Sequence, residues 1–136
     1  MADEGMDDML GEIREHERSA QELQEQIRVM QMELETLTLT LGVLGDMDNA
    51  SKGSLFSVGS GVYVKAKVSD TKNIILDLGG GIVVEKTVEE AKQIVAGRID
   101  EQTETLRKAS DEFSNVMGKL QELNEKIHSV MDQYKE

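Results

Sequence analysis

Between Met6 and Leu44, apolar side chains return at alternating steps of three and four residues. The series is Met6, Met9, Ile13, His16, Ala20, Leu23, Ile27, Met30, Leu34, Leu37, Leu41 and Leu44, with His16 its one polar member. A mean spacing of 3.5 keeps a single narrow seam turned toward a partner helix. A second series supplies that partner: Val95, Ile99, Gln102, Leu106, Ala109, Phe113, Val116, Leu120, Leu123, Ile127, Val130 and Tyr134, with Gln102 its only amide. Gly11, Gly97 and Gly118 all fall away from the seams, where a missing side chain lowers helix propensity without opening a packing hole. Gly45 follows Leu44 and suits a helix C-terminus. Each arm reads as a rod of about 60–70 Å at 1.5 Å per residue.

Composition fits rods better than an ordinary globule. Aromatic residues make up 3% of the chain, and Trp and Pro are absent, so the bulky groups that dominate most compact cores are missing. The formal charge of −12 is unevenly spread: −10 over residues 1–51, +1 over 52–92 and −3 over 93–136. Such acidity disfavours nucleic acid, whose binding rests on Lys and Arg neutralising phosphates. The absence of Cys removes disulfides, thiolate metal sites and Cys nucleophiles, and is compatible with a cytoplasmic setting. The opening MADEGMDDML lacks the basic and apolar regions of a secretory signal, and no run reaches the length of a membrane span, so no membrane association is expected.

Between the arms the period drops to two. In GVYVKAKV, Val62, Val64, Ala66 and Val68 share one face while Tyr63, Lys65 and Lys67 share the other. NIILDL (73–78) and IVVEKT (82–87) are short and β-branched, and SLFSV (54–58) is a weaker fourth strand. Ser-Asp-Thr-Lys at 69–72 supplies a turn. LFSVGSGVYVKA (55–66) and ILDLGGGIVVEK (75–86) align without gaps at a spacing of 20, their glycine groups coinciding. Two similar hairpins are expected. Thr87-Val-Glu-Glu then opens the second helix with a capping pattern, Thr87 capping the amides and Glu90 reaching back.

The triple glycine 79–81 invites a phosphate-loop reading, but such a loop runs from a strand into a helix N-terminus. Here a strand follows, no Gly-Lys-Ser/Thr appears, and Gly59-Ser60-Gly61 lacks the third glycine of a dinucleotide fingerprint. Hairpin turns needing positive φ account for both groups. His16-Glu17 lacks the second His of a zinc helix, since position 20 is Ala, and His128 is the only other imidazole. DMDNAS (46–51) opens like a calcium loop but carries Ala50 and Ser51 where an oxygen ligand and Gly belong. No catalytic constellation assembles, so no enzyme, metal or cofactor is expected.

A short strand region between two rods returns the second helix along the first and puts both chain ends at one tip. Four short strands have little core of their own and present edges, so they should pair with other chains. At the tip, Met1, Met6, Met9 and Leu10 face Ile127, Val130, Met131 and Tyr134. Methionine suits a surface that accepts many apolar partners, and it also suits a fraying coiled-coil end as filler. The residues alone leave both readings open. Asp3, Glu4, Asp7, Asp8, Glu12 and Asp132 would keep such a tip in solution.

The stretch SVGSGVYVKAKVSDTKNIILDLGGGIVVEKTVEEA (57–91) resembles the alpha subunit of archaeal prefoldin: Val-Gly-x-Gly before a Lys-containing strand, then Asp-Thr, a second glycine turn and a helix. Two hairpins rather than one resemble the alpha class and not the beta class, and the likeness runs over essentially all 136 residues. It implies an α+β fold, one domain over 1–136: a long antiparallel coiled-coil hairpin with helices at 1–46 and 88–136, and two β-hairpins within 47–87 that join an oligomeric β-barrel. It implies a chaperone subunit, an ATP-independent holdase in a hexamer of two alpha and four beta subunits. Such a hexamer takes unfolded polypeptides at the arm tips and passes them to a group II chaperonin. Client contact would then fall to Met6, Met9, Leu10, Ile13, Ile127, Val130, Met131 and Tyr134. Oligomerisation would fall to Phe56, Val58, Val62, Val64, Ile74, Leu76, Ile82 and Val84. The competing class is a coiled-coil adaptor that only spaces other proteins.

Overall fold

A computed structural model of the chain describes residues 2–134. In order these are helix α1 (Ala2–Gly45), a single helical turn α2 (Met47–Ala50), strands β1 (Ser54–Gly59), β2 (Val62–Ala66), β3 (Asn73–Asp77) and β4 (Val83–Thr87), and helix α3 (Val88–Tyr134). They group into two compact units, one from the segments 1–33 and 102–136 and the other from 34–101.

In the first unit the seams meet. Ile13, Ala20, Leu120 and Leu123 form one buried cluster, with Met9, Phe113, Val116 and Ile127 packed against it. Low numbers on α1 therefore meet high numbers on α3, and the two segments run antiparallel. Burying a Leu or Ile side chain contributes roughly 1.5–3 kcal/mol, so this one stripe supplies most of what holds the pair. His16 is half-buried in its seam position and His128 is exposed. Gln102, the seam amide, donates from Nε2 to Glu33 Oε2 at 2.7 Å across the pair. A polar seam residue with a single cross-helix partner penalises other registers. Around the outside, Arg28 bonds Glu25, and Arg107 bonds both Glu104 and Asp111. The guanidinium hydrogen bonds hold the Glu25 and Glu104 carboxyls below the usual glutamate range. These exposed local pairs add little to stability.

The second unit carries the strands. β1 pairs antiparallel with β2 and β3 with β4, as two separate two-stranded sheets. The turns repeat the gapless sequence alignment at the level of the backbone. Gly59, Ser60 and Gly61 have φ of 106°, 53° and 77°, and their counterparts Gly79, Gly80 and Gly81 have 105°, 63° and 79°. Positive φ at both central positions is what a type I′ hairpin turn demands. Even the supporting bond recurs: the Gly59 N–H donates to Ser57 Oγ at 3.4 Å, and the Gly79 N–H to Asp77 Oδ1 at 2.8 Å.

Some boundaries move. β2 stops at Ala66, so Val68 leaves the sheet and donates its N–H to Ala50 O at 3.0 Å instead. β3 ends at Asp77 and β4 begins at Val83, leaving Leu78 and Ile82 in the second turn, where the Leu78 N–H donates to Ile82 O. DMDNAS forms a helical turn whose Asn49 amide bonds the Asp46 carboxylate. The cap of α3 has the expected reciprocal bonds. The Glu90 N–H donates to Thr87 Oγ at 3.1 Å, and the Glu90 carboxylate reaches back to accept a hydrogen bond from the Thr87 hydroxyl at 3.1 Å. Thr87 is still the last residue of β4, opposite Asn73, and this dual position sets the geometry of the cap.

Candidate functional site

Where the seams run out in the first unit, the eight expected client residues divide into two groups. Ile13 is buried; Met6, Met9, Ile127 and Val130 are half-buried in the seam. Leu10, Met131 and Tyr134 remain 38%, 47% and 61% exposed. Leu10 and Met131 each follow a seam residue, Met9 and Val130, so the helix carries them off the seam into water. Tyr134 is the one member of its series left exposed. Met1 lies outside the described residues. The exposed carboxylates of Glu4, Asp7, Asp8, Glu12 and Asp132 surround this apolar group, and no Lys or Arg occurs among residues 4–13 or 127–134. The surface can offer dispersion and hydrophobic contact to an apolar segment, with an acidic rim.

The hairpins are the second exposed apolar surface. Phe56 stands opposite Val64, and Ser57 opposite Tyr63, while Val58 is the extra residue of a β-bulge before the Gly59–Val62 pair. Period-two counting would put Val58 on the face of Phe56, but the bulge interrupts the alternation there. Phe56, Val58, Val62 and Val64 are all exposed. In the second hairpin Leu76 faces Val84, and Ile74 faces Lys86. Ile74, Leu76 and Val84 are half-buried, and Ile82 is exposed within the turn. Selecting one face missed Leu55, Tyr63, Ile75 and Val83 on the other, all more than half exposed. The signal was present in NIILD, which is apolar on both faces at its centre. Between the hairpins, Asp70 Oδ1 accepts the Lys72 and Asn73 amides at 3.0 and 3.1 Å. Those backbone bonds, the Lys72 amide first, hold its carboxyl below the usual aspartate range.

Among the described residues, no group of three or more His, Asp or Glu is placed to hold a metal ion. No described helix is long and apolar enough to cross a membrane.

Comparison with known proteins places this order of two long helices with two short antiparallel hairpins between them. The family model described as "Prefoldin subunit" matches residues 8–135. The chain belongs to the prefoldin family. A prefoldin from Methanocaldococcus jannaschii, solved as a filament by cryo-electron microscopy, has the same fold with a TM-score of 0.71. It is 20% identical, and the match covers 85% of this chain and 98% of that one. No curated protein matches the sequence. The long N-terminal helix, paired hairpins and long C-terminal helix are thus the prefoldin coiled-coil hairpin fold.

Proposed function

We propose that this chain is an alpha-type prefoldin subunit acting as an ATP-independent holdase. In this reading it binds unfolded polypeptides with the helix-end surface and hands them to a group II chaperonin. The observation that carries the reading is the apolar group Leu10, Met131 and Tyr134, left in water where the seam ends although the fold buries the neighbouring Ile13. Two hairpins between the helices support the alpha class, and their exposed apolar residues support a hub built with other chains; the family resemblance implies two alpha with four beta subunits. Six such surfaces on one hub would add through effective concentration, so individually weak contacts could hold a client reversibly. The chain's acidity supports protein partners over nucleic acid.

The test is light scattering during dilution of a chemically denatured enzyme, with the assembled protein stoichiometric and nucleotide omitted. Suppressed aggregation is expected. An unchanged scattering curve would favour a spacer without client binding.

A further inference from the structure

The first hairpin carries a different surface on the side of its sheet away from Phe56 and Val64. Register places Leu55 opposite Lys65 and Ser57 opposite Tyr63 on that side, and Lys67 follows two residues after Lys65. The Lys67 stem runs beside Gly53, its Cγ and Cε each 3.9 Å from where a Gly53 Cβ would stand. Lys52, Leu55, Lys65 and Lys67 line an open groove of about 530 Å³ at the base of this hairpin. Between Asp48 and Asp70 these three lysines are the only charged residues. A chain of net charge −12 therefore presents three cations here with no anion in the same stretch. All three are exposed, and none has an ion pair or side-chain hydrogen bond among the described residues. Lys86 and Lys92, by contrast, pair with Glu90 at 3.6 Å and Glu89 at 3.1 Å.

We propose that this lysine-lined groove binds a short acidic peptide segment of a partner protein. Its carboxylates would meet Lys52, Lys65 and Lys67, and its apolar side chains would cover Leu55. Charge complementarity selects that occupant, because an unneutralised cationic patch steers and orients an anionic partner. The rest of the chain limits the partner's length. Residues 1–51 carry −10, which repels a long polyanion or an anionic membrane that extends past the hairpin, while a short segment stays within the groove. Residue type points the same way. Planar, two-pronged recognition of phosphate favours Arg, and the groove has none; lysine ammonium groups on flexible stems suit carboxylates in no fixed geometry. Leu55 and Tyr63, 62% and 60% exposed on the same side, offer apolar contact that a peptide can use and a free phosphate cannot. The hub reading uses the opposite side, with Phe56 and Val64, so the two surfaces do not compete, and the groove does not depend on client binding at the helix ends.

The test is fluorescence anisotropy of a labelled peptide, Glu-Glu-Leu repeated three times, titrated with the full chain. Saturable binding is expected, weakened at least about tenfold by high salt and by replacing every Glu of the peptide with Gln. Lys65→Glu with Lys67→Glu should weaken it by at least about tenfold as well. Lys52→Gln, outside the strands, should weaken it about threefold with helix content and sedimentation unchanged, which keeps the test decisive if the double variant misfolds. Absence of saturable binding to the wild-type chain overturns the proposal. So does equal binding of the Gln peptide, or wild-type affinity in the lysine variants, since the peptide would then be held by apolar contact elsewhere. Tighter binding of a twelve-nucleotide single-stranded DNA than of the acidic peptide would make the groove a nucleic-acid surface and overturn the peptide assignment.

Discussion

Replacing Leu10, Met131 and Tyr134 together by Gln should remove client holding while leaving the helical pair standing. The magnitude follows from exposure. A fully buried Leu or Met side chain is worth roughly 1.5–3 kcal/mol, and the exposed fractions of 38%, 47% and 61% are what a client could cover. Summed over the three, complete coverage is worth about 2–4 kcal/mol per helix end. Since 1.4 kcal/mol is tenfold in affinity, a loss of at least about tenfold per surface is expected, compounding over an assembly. All three lie outside the buried cluster, so each substitution should move the unfolding free energy by only about 0.5 kcal/mol. Ile13→Ala is the inverse case: its side chain lies in the buried cluster, and its loss should cost about 2–4 kcal/mol of stability. The assay is client dilution followed by light scattering at several protein ratios, paired with chemical denaturation followed by circular dichroism. A correctly assembled triple variant that suppresses aggregation at wild-type ratios would refute the assignment of client binding to this surface.

Thr87→Ala should destabilise the start of α3 by about 1 kcal/mol in chemical denaturation, because it removes the acceptor for the Glu90 N–H. The matched turns predict a reciprocal pair. Ser60→Gly should raise the melting temperature, since a non-glycine residue at φ 53° is strained, and Gly80→Ser should lower it. Asp70 gives a pH signature. Its folded pKa lies below the unfolded value, so its contribution is complete above the ordinary aspartate range and is lost as pH falls through the lowered folded value. Asp70→Ala should flatten the loss of stability in that acidic window, and a carboxyl titration by NMR should place the Asp70 midpoint below the ordinary aspartate range.

The features legible in the sequence were those set by spacing. Every member of the first seam from Met6 to Leu44 is at least half-buried, because the 3–4 alternation leaves a helix pair no other face to cover. The glycine turns were legible for a steric reason, positive φ, and the alignment at 20 residues therefore repeats in dihedral angles. What escaped depended on neighbours. The register shift that leaves Val58 unpaired between the Ser57–Tyr63 and Gly59–Val62 pairs is not encoded in alternation. The candidate helix-end residues were identified by type and place, but which remain exposed is decided one position at a time. Leu10 and Ile13 differ in fate only through their angle on the helix.

The two helices leave the strand region by unlike routes. Thr87 closes β4 and caps α3 in the same residue, with no linker between, and the Val88 N–H is held by Lys72 O at 2.8 Å. α1 instead reaches β1 through a short helical turn and an irregular step that includes Gly53 at φ 116°. The C-terminal root is consequently a welded joint, and any swing at the base of α3 must drag β4 with it. Residues 46–53 are held by local turn bonds, the amides of Asp46, Asn49, Lys52 and Gly53 each donating three residues back, so amide hydrogen exchange should be faster there than at Val88.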